Sequence, residues 1–275
     1  MKRAIKSLFG ELMFASRLDE ILLRNAAVVV AFHRIREAPE SDGLSVSTRM
    51  FERLCRFFMR EFRVVPLRDI VDRLERGSRL DHHLAITFDD GYRDNFENAM
   101  PILEKLSLPA TFFVVSGWVS TATVPWWDQQ AGVRYPLMTW DEVHTLHRKG
   151  FDIGGHTRTH LDLGQVDDGA AWDEIAGGRR ELEKDLGAPV DLFAYPYGRR
   201  HNFSEARLDL VKAAGYRCCC SCYGGITTTG SDPFHLARVP ISPWYGSAYQ
   251  FGFEVAFGRP DTPERAPHGS GSVSD

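Results

Sequence analysis

Apolar residues along this chain form two alternating patterns: short continuous runs, and longer segments with apolar positions three and four apart. The runs are AAVVVAFH (26–33), RVVPL (63–67), LAITFDD (84–90), ATFFVVS (110–116), FDIGGH (151–156), DLFAYP (191–196), YRCCCSC (216–222) and HLARVPI (235–241). They are too short for helices and most are rich in β-branched or aromatic residues, which predicts strands. The periodic segments are MFERLCRFFMREF (50–62), LRDIVDRLERG (67–77), ENAMPILEKLS (97–107), TWDEVHTLHRKG (139–150), a stretch over 170–186, and SEARLDLVKAAGY (204–216). Their ends carry helix signals. Thr139 with Glu142 makes a capping box, Ser204 is an N-cap, and Gly77, Gly150 and Gly215 are stops. Pro101 fits only a first helical turn. Gly177-Gly178 weakens 170–186, so only its second half is predicted helical.

Repeated strand-then-helix order argues for an α/β fold with parallel strands and right-handed crossovers. About eight strands in about 240 residues favour a closed or nearly closed barrel over an open sheet. Chemistry in such barrels gathers at the C-terminal strand ends, and here those ends read His33, Asp89-Asp90, His156 and Tyr195-Pro196-Tyr197. The chain divides into a helical segment (1–25), one barrel domain (26–258) and a Gly-, Ser- and Pro-rich tail (259–275) expected to be disordered. Within the first segment Ile5, Leu8, Phe9, Leu12 and Met13 recur at helical spacing. A helix packed on the domain is the plain reading. Shallow attachment to a membrane surface, aided by Lys2, Arg3 and Lys6, is the alternative.

Composition narrows the classes. At 275 residues and 43% hydrophobic the chain can bury a large core, and a net charge of -4 gives no basic excess for a nucleic-acid partner. Four of the five cysteines crowd into 218–222, which is no disulfide framework. They read as small buried apolar residues, with a thiolate metal site as the alternative. No run of 18 apolar residues exists, and Glu11, Arg17, Asp19 and Glu20 interrupt the N-terminal segment. The expected location is the cytoplasm, free or against a membrane.

Two motifs carry candidate chemistry. TFDDG (87–91) puts adjacent carboxylates after an apolar strand, with a glycine for a tight turn. Adjacent side chains diverge, so one carboxylate can bind a metal while the other takes a proton from water. GGHTRTH (154–160) sets His156 and His160 four apart, with Gly154 and Gly155 allowing a bend. If the chain turns helical there, both imidazoles share one face, a spacing that suits Zn2+ or a similar ion. Two imidazoles and one carboxylate leave a position open for water, as catalytic zinc sites do.

On these residues the sequence resembles the polysaccharide deacetylases that share the NodB-homology domain (carbohydrate esterase family 4), over roughly 26–245. TFDDG matches the family's first motif, HTRTH its second, and FAYPYG (193–198) its third apart from an arginine. The resemblance implies a distorted (β/α) barrel with about seven or eight mostly parallel strands. It implies Asp89 as general base, and Asp90, His156 and His160 as ligands of Zn2+, with Co2+ or Ni2+ as alternatives. The Tyr197 N–H is the implied oxyanion donor. Ala194 stands where many members carry the arginine that orients the base, so Arg238 or Arg93 must serve instead. The family's late histidine acid is not evident either. VVVAFHRI (28–35) looks like a segment of the branch acting on poly-N-acetylglucosamine, which assigns the acid to His33, with His235 as runner-up.

The implied activity is hydrolysis of an N-acetyl group from an amino sugar in a surface polysaccharide, lipopolysaccharide or precursor. A deformylase or amidase acting on a lipid- or nucleotide-linked sugar, or on a small cyclic amide, is the second reading. A carbohydrate-binding protein without catalysis is the third, favoured only by the missing arginine. Trp118, Trp126, Trp127, Trp140 and Trp244 suit sugar faces, WWDQ (126–129) reads as a flap, and 224–234 reads as another active-site loop.

Overall fold

The run AAVVVAF is buried at every residue, so it must be covered on both faces, as parallel strands in α/β proteins are. The computed structural model describes residues 2–37, 43–199, 202, 204–222 and 225–257. Its strands are β1 (Ala26–Phe32), β2 (Arg34–Ile35), β3 (Ser45–Val46), β4 (Arg63–Val64), β5 (His83–Phe88), β6 (Thr111–Val114), β7 (Asp152–Gly155), β8 (Leu192–Ala194), β9 (Cys218–Cys220), β10 (Thr227–Thr228) and β11 (Val239–Pro240). Its helices are α1 (Lys2–Ala15), α2 (Leu18–Leu22), α3 (Thr48–Glu61), α4 (Leu67–Glu75), α5 (Met100–Leu106), α6 (Trp126–Gln130), α7 (Trp140–Arg148), α8 (Asp168–Trp172), α9 (Gly178–Leu186), α10 (Glu205–Ala213) and α11 (Ala248–Ala256).

The main sheet runs β10-β1-β5-β6-β7-β8-β9, with β11 also on β1 and β4 on β5. All its pairings are parallel except β1 with β10. One irregular segment curls it round: Leu236 bridges to Cys220, and Val239 and Pro240 pair with Val30 and Ala31. The result is the expected mixed α/β barrel, mostly parallel and single-domain, with two-residue β4 and β11 where longer runs were predicted.

Strand alternation sorts the core into two layers. Outward-facing Val28, Val30, Phe32, Leu84, Ile86, Phe88 and Phe112 pack under the helices, with Phe88 stacked on Phe112 at 4.8 Å. Inward-facing Ala27, Val29, Ala85, Phe113, Ala194, Cys218 and Cys220 meet Leu67, Ile70 and Val71 of α4. The cysteines are free, and Cys218, Cys219 and Cys220 are buried as small apolar residues.

The capping box at Thr139 and Glu142 is formed. The stretch 170–186 is helical throughout, because a π-helical turn (Asp173–Gly177) joins α8 to α9. The loop expected over the site from 224 onward lies elsewhere. Thr227 and Thr228 pair with Ala27 and Ala26, at the N-terminal end of β1 and opposite the site. Residue 224 and the tail from 259 lie outside the described residues.

Candidate active site

Asp89 continues the inward-facing series Ala85, Thr87 of β5 and is 2% exposed. A carboxylate so placed needs a partner, and the fully buried Arg238 supplies it. Arg238 Nη1 donates to Asp89 Oδ1 and Nη2 to Oδ2, both at 2.7 Å. The guanidinium is itself fixed by Ser221 O (2.8 Å), Thr87 Oγ1 (3.1 Å) and Cys222 Sγ (3.1 Å). Burial works against a charged Asp89, but Arg238 together with His156 holds the carboxyl below its ordinary range. Arg93, the other candidate, pairs instead with Glu97 and Glu142. Burial pushes the neighbouring Cys222 thiol up to about 12, so it stays neutral beside Asp89.

Asp90 and Gly91 both take positive φ, 70° and 78°. Aspartate tolerates this region better than most residues, and the turn separates the two carboxylates. Asp90 Oδ1 lies 3.4 Å from His156 Nε2 and 3.3 Å from His160 Nε2. The three ligand atoms fall within 4.8 Å of one another, and all three residues are buried. His156 Nδ1 sits 2.8 Å from Ala194 O. A carbonyl only accepts, so Nδ1 carries a proton and Nε2 is the atom turned toward Asp90. A neutral imidazole would turn its Nε2 lone pair to the carboxylate oxygen, a contact made favourable by a proton or a metal ion shared between them. This N2O donor set, with its carbonyl-oriented imidazole, fits a divalent ion. The local field acts on the rings differently. At His156 burial is outweighed by Asp89 and Asp90, which raise its pKa; at His160 burial prevails and the pKa falls.

No helix forms over 156–160. Thr157 and His160 adopt positive φ of 64° and 62°, and this irregular turn brings the ring centroids to 5.1 Å. Gly154 and Gly155 lie within extended β7 and do not bend it. They make room instead: a Cβ would fall 2.4 Å from the Phe113 ring and 2.2 Å from the Tyr216 hydroxyl. Such left-handed backbone costs of order 1–3 kcal/mol per residue and needs outside support. Buried Glu174, on the π-helical turn, provides it by accepting from Arg158 N (3.1 Å), Thr159 N (2.8 Å) and Thr159 Oγ1 (2.6 Å). Gly178 lets the helix approach, since a Cβ there would come within 3.0 Å of the Thr157 and Arg158 backbone. Glu174→Ala is therefore expected to weaken metal affinity about 10- to 100-fold, as outer-shell losses do. Competition with a chelating dye checks this, and wild-type affinity would refute the positioning role.

His160 is walled by aromatics. Trp118 stacks on it at 5.3 Å, and Trp127 and Tyr197 meet it edge-on, both at 4.9 Å. The WWDQ segment forms α6 and is anchored rather than loose. Buried Asp128 accepts from Arg34 Nη1 (2.5 Å) and the Tyr92 hydroxyl (2.8 Å), and Trp127 Nε1 donates to that hydroxyl (2.9 Å). Trp126 Nε1 reaches Tyr197 Oη at 3.1 Å, closing the rim. Trp140 instead opens α7 and packs near His144, and Trp244 lies beside Arg3.

The half-buried His33 directly follows β1, whose Phe32 is in register with Phe88 of β5, the residue before Asp89. His235 pairs with Glu205 and Asp232 and with neither site carboxylate. Tyr197 has a φ of 61°, and its N–H has no recorded acceptor among the described residues. The sequence marks Cys222 only as one of a cysteine cluster and Asp128 only as part of WWDQ, and it does not single out Glu174. Their partners are not sequence neighbours, and only the fold reveals the contacts.

The sequence profile of the polysaccharide deacetylase family matches residues 76–219, more than half the chain and all of β5 to β8. The chain belongs to the polysaccharide deacetylase family. It is accordingly a hydrolase of the deacetylase class. Among curated relatives, this deacetylase is 27% identical to YxkH of Bacillus subtilis over 167 residues, covering 60% of this chain and only 54% of YxkH. It is 23% identical to the poly-beta-1,6-N-acetyl-D-glucosamine N-deacetylase of Staphylococcus aureus (strain MRSA252) over 237 residues, 79% of each chain. Among solved structures, the Streptococcus pyogenes deacetylase PplD in complex with acetate superposes with a TM-score of 0.70 at 20% identity, covering 82% of this chain and 96% of that one. IcaB from Ammonifex degensii gives 0.69 at 21% identity, covering 83% and 97%. These two likenesses establish that the deacetylase shares their fold.

Proposed function

We propose that this deacetylase hydrolyses the N-acetyl group of amino-sugar units in a poly-N-acetylglucosamine-type polymer or its precursor, using a divalent cation, Zn2+ by preference. The observation that carries this reading is one juxtaposition. A guanidinium-clamped carboxylate, Asp89, is the chain neighbour of Asp90, whose carboxylate meets His156 and His160 in a buried, aromatic-walled site. The relative from Staphylococcus aureus, matched over most of both chains, supports the choice of sugar.

A cation held by Asp90, His156 and His160 would polarise the acetyl carbonyl and make a water more acidic. Asp89 receives the proton of the attacking water. Arg238 occupies one lone pair on each of its oxygens, which leaves each oxygen another for that proton. The Tyr197 N–H donates to the developing oxyanion, a contact worth about 3 kcal/mol when pre-aimed. His33 then protonates the amine as the C–N bond breaks, and acetate leaves with the new C–O bond. The indole of Trp126 and the ring of Tyr197, 52% and 37% exposed, offer the sugar an apolar surface at the rim. Arg238 also removes the one feature that favoured a non-catalytic reading, because it supplies the guanidinium that Ala194 lacks.

Acetate release tests the proposal. With Zn2+ present, β-1,6-linked N-acetylglucosamine oligomers are expected to yield equal amounts of acetate and free amine, faster than the monosaccharide does. Release from formylated or cyclic amides alone would move the assignment to the deformylase or amidase reading. No release from any amide would overturn both.

A further inference from the structure

Helix α1 carries two apolar stripes. Gly10, Met13 and Phe14 are buried, and α1 packs on α11, where Phe14 meets Tyr249. Ile5, Leu8, Phe9 and Leu12 form the other, at the i, i+3, i+4, i+7 spacing that ordinarily faces a core. Here each is 47–57% exposed. Helix α2 extends the same kind of surface with Leu18, Ile21 and Leu22, which are 36–72% exposed. On α11 the Phe253 ring links Phe9 (6.3 Å) to Phe257 (4.7 Å), which is half-exposed. An exposed apolar surface of this extent on one side of a globular domain marks a place of attachment.

We infer that this face seats on an anionic lipid surface. Charge points to that occupant. Residues 2–25 hold five Lys or Arg against three Asp or Glu, with Lys6 paired to Glu254 of α11 and Arg17 to Glu20, whereas the whole chain carries -4. Lys2 and Arg3 are exposed at one end of the stripe, and the Arg3 guanidinium lies 4.0 Å over the half-exposed Trp244 ring. A tryptophan paired with a cation at the edge of an apolar face suits the headgroup region. Among the described residues no helix is long and apolar enough to cross a membrane, so the face lies on the bilayer. Trp244 follows β11, which runs parallel to β1. The basic end of α1 therefore lies at the end of the barrel that carries His33 and Asp89.

Cosedimentation of the full chain with vesicles tests this, using phosphatidylcholine alone and phosphatidylcholine mixed with phosphatidylglycerol. Wild type is expected to pellet with the mixed vesicles. Leu8→Glu combined with Leu12→Glu should reduce that partitioning at least about tenfold. Lys2→Ala combined with Arg3→Ala, at exposed positions that do not threaten folding, should weaken binding to mixed vesicles only. Both variants should keep the wild-type melting temperature and acetate release from soluble oligomers. Wild type that stays in the supernatant with mixed vesicles would overturn the inference. So would partitioning that neither variant changes, or a dimer in sedimentation velocity that the glutamate variant dissolves without any vesicle binding.

Discussion

Asp89→Asn is expected to lower kcat for acetate release by about 10³-fold or more, while the protein keeps its metal. A positioned base contributes about 10²–10⁴-fold, and asparagine occupies the same volume but cannot take the proton. The substitution does not touch Asp90, His156 or His160, which approach one another through Asp90 Oδ1. It also strips the buried Arg238 of its counter-ion, so a loss of stability of up to about 3–5 kcal/mol accompanies the kinetic defect. Metal content measured beside kcat separates the two effects. Near-wild-type turnover would show that Asp89 is not the base.

Arg238 should be almost as sensitive, for a different reason. Its fork fixes both oxygens of Asp89, and its other contacts include buried Thr87 of β5 and the Ser221 carbonyl. Arg238→Ala leaves an uncompensated carboxylate in the barrel interior and is expected to cost about 3–5 kcal/mol of stability. Arg238→Lys keeps the charge but offers no planar fork, so Asp89 is held at one point instead of two. That variant should stay folded, retain its metal and show kcat lowered about 10²-fold with KM little changed, since Arg238 is shielded from the substrate by Asp89. A change confined to KM would place Arg238 in substrate binding instead of base positioning.

Much of this site was legible in the sequence because strands have a period of two and end at the same rim. TFDDG and GGHTRTH each follow a buried strand, so the fold had to bring Asp89-Asp90 and His156 to one end of the barrel. What was not legible was how the ligands are held. A helix over 156–160 would also have paired the histidines, and spacing alone cannot separate that helix from a turn with two positive-φ residues. The turn exists because Glu174 and Gly178 support it from a helix whose glycines, read locally, weakened its first half. Arg238 lay within reach of sequence reasoning because it sits within the last apolar run, but its choice over Arg93 depended on which carboxylate each one meets. The anchor of α6 was invisible for the same reason: Asp128, Arg34 and Tyr92 come from three separate parts of the chain. The loop from 224 onward was misplaced because polar, glycine-rich loops occur at both ends of a barrel, and only its pairing with Ala26 and Ala27 fixes the end.

The most direct test measures metal content and acetate release on the same samples of wild type and His156→Ala, before and after treatment with a chelator. The account predicts about one divalent ion per wild-type chain, loss of ion and activity together on chelation, and recovery of both when Zn2+ is restored. His156→Ala should hold little metal and release no acetate above background under any of these conditions. Undiminished acetate release from metal-free wild type, or full metal content in His156→Ala, would contradict it.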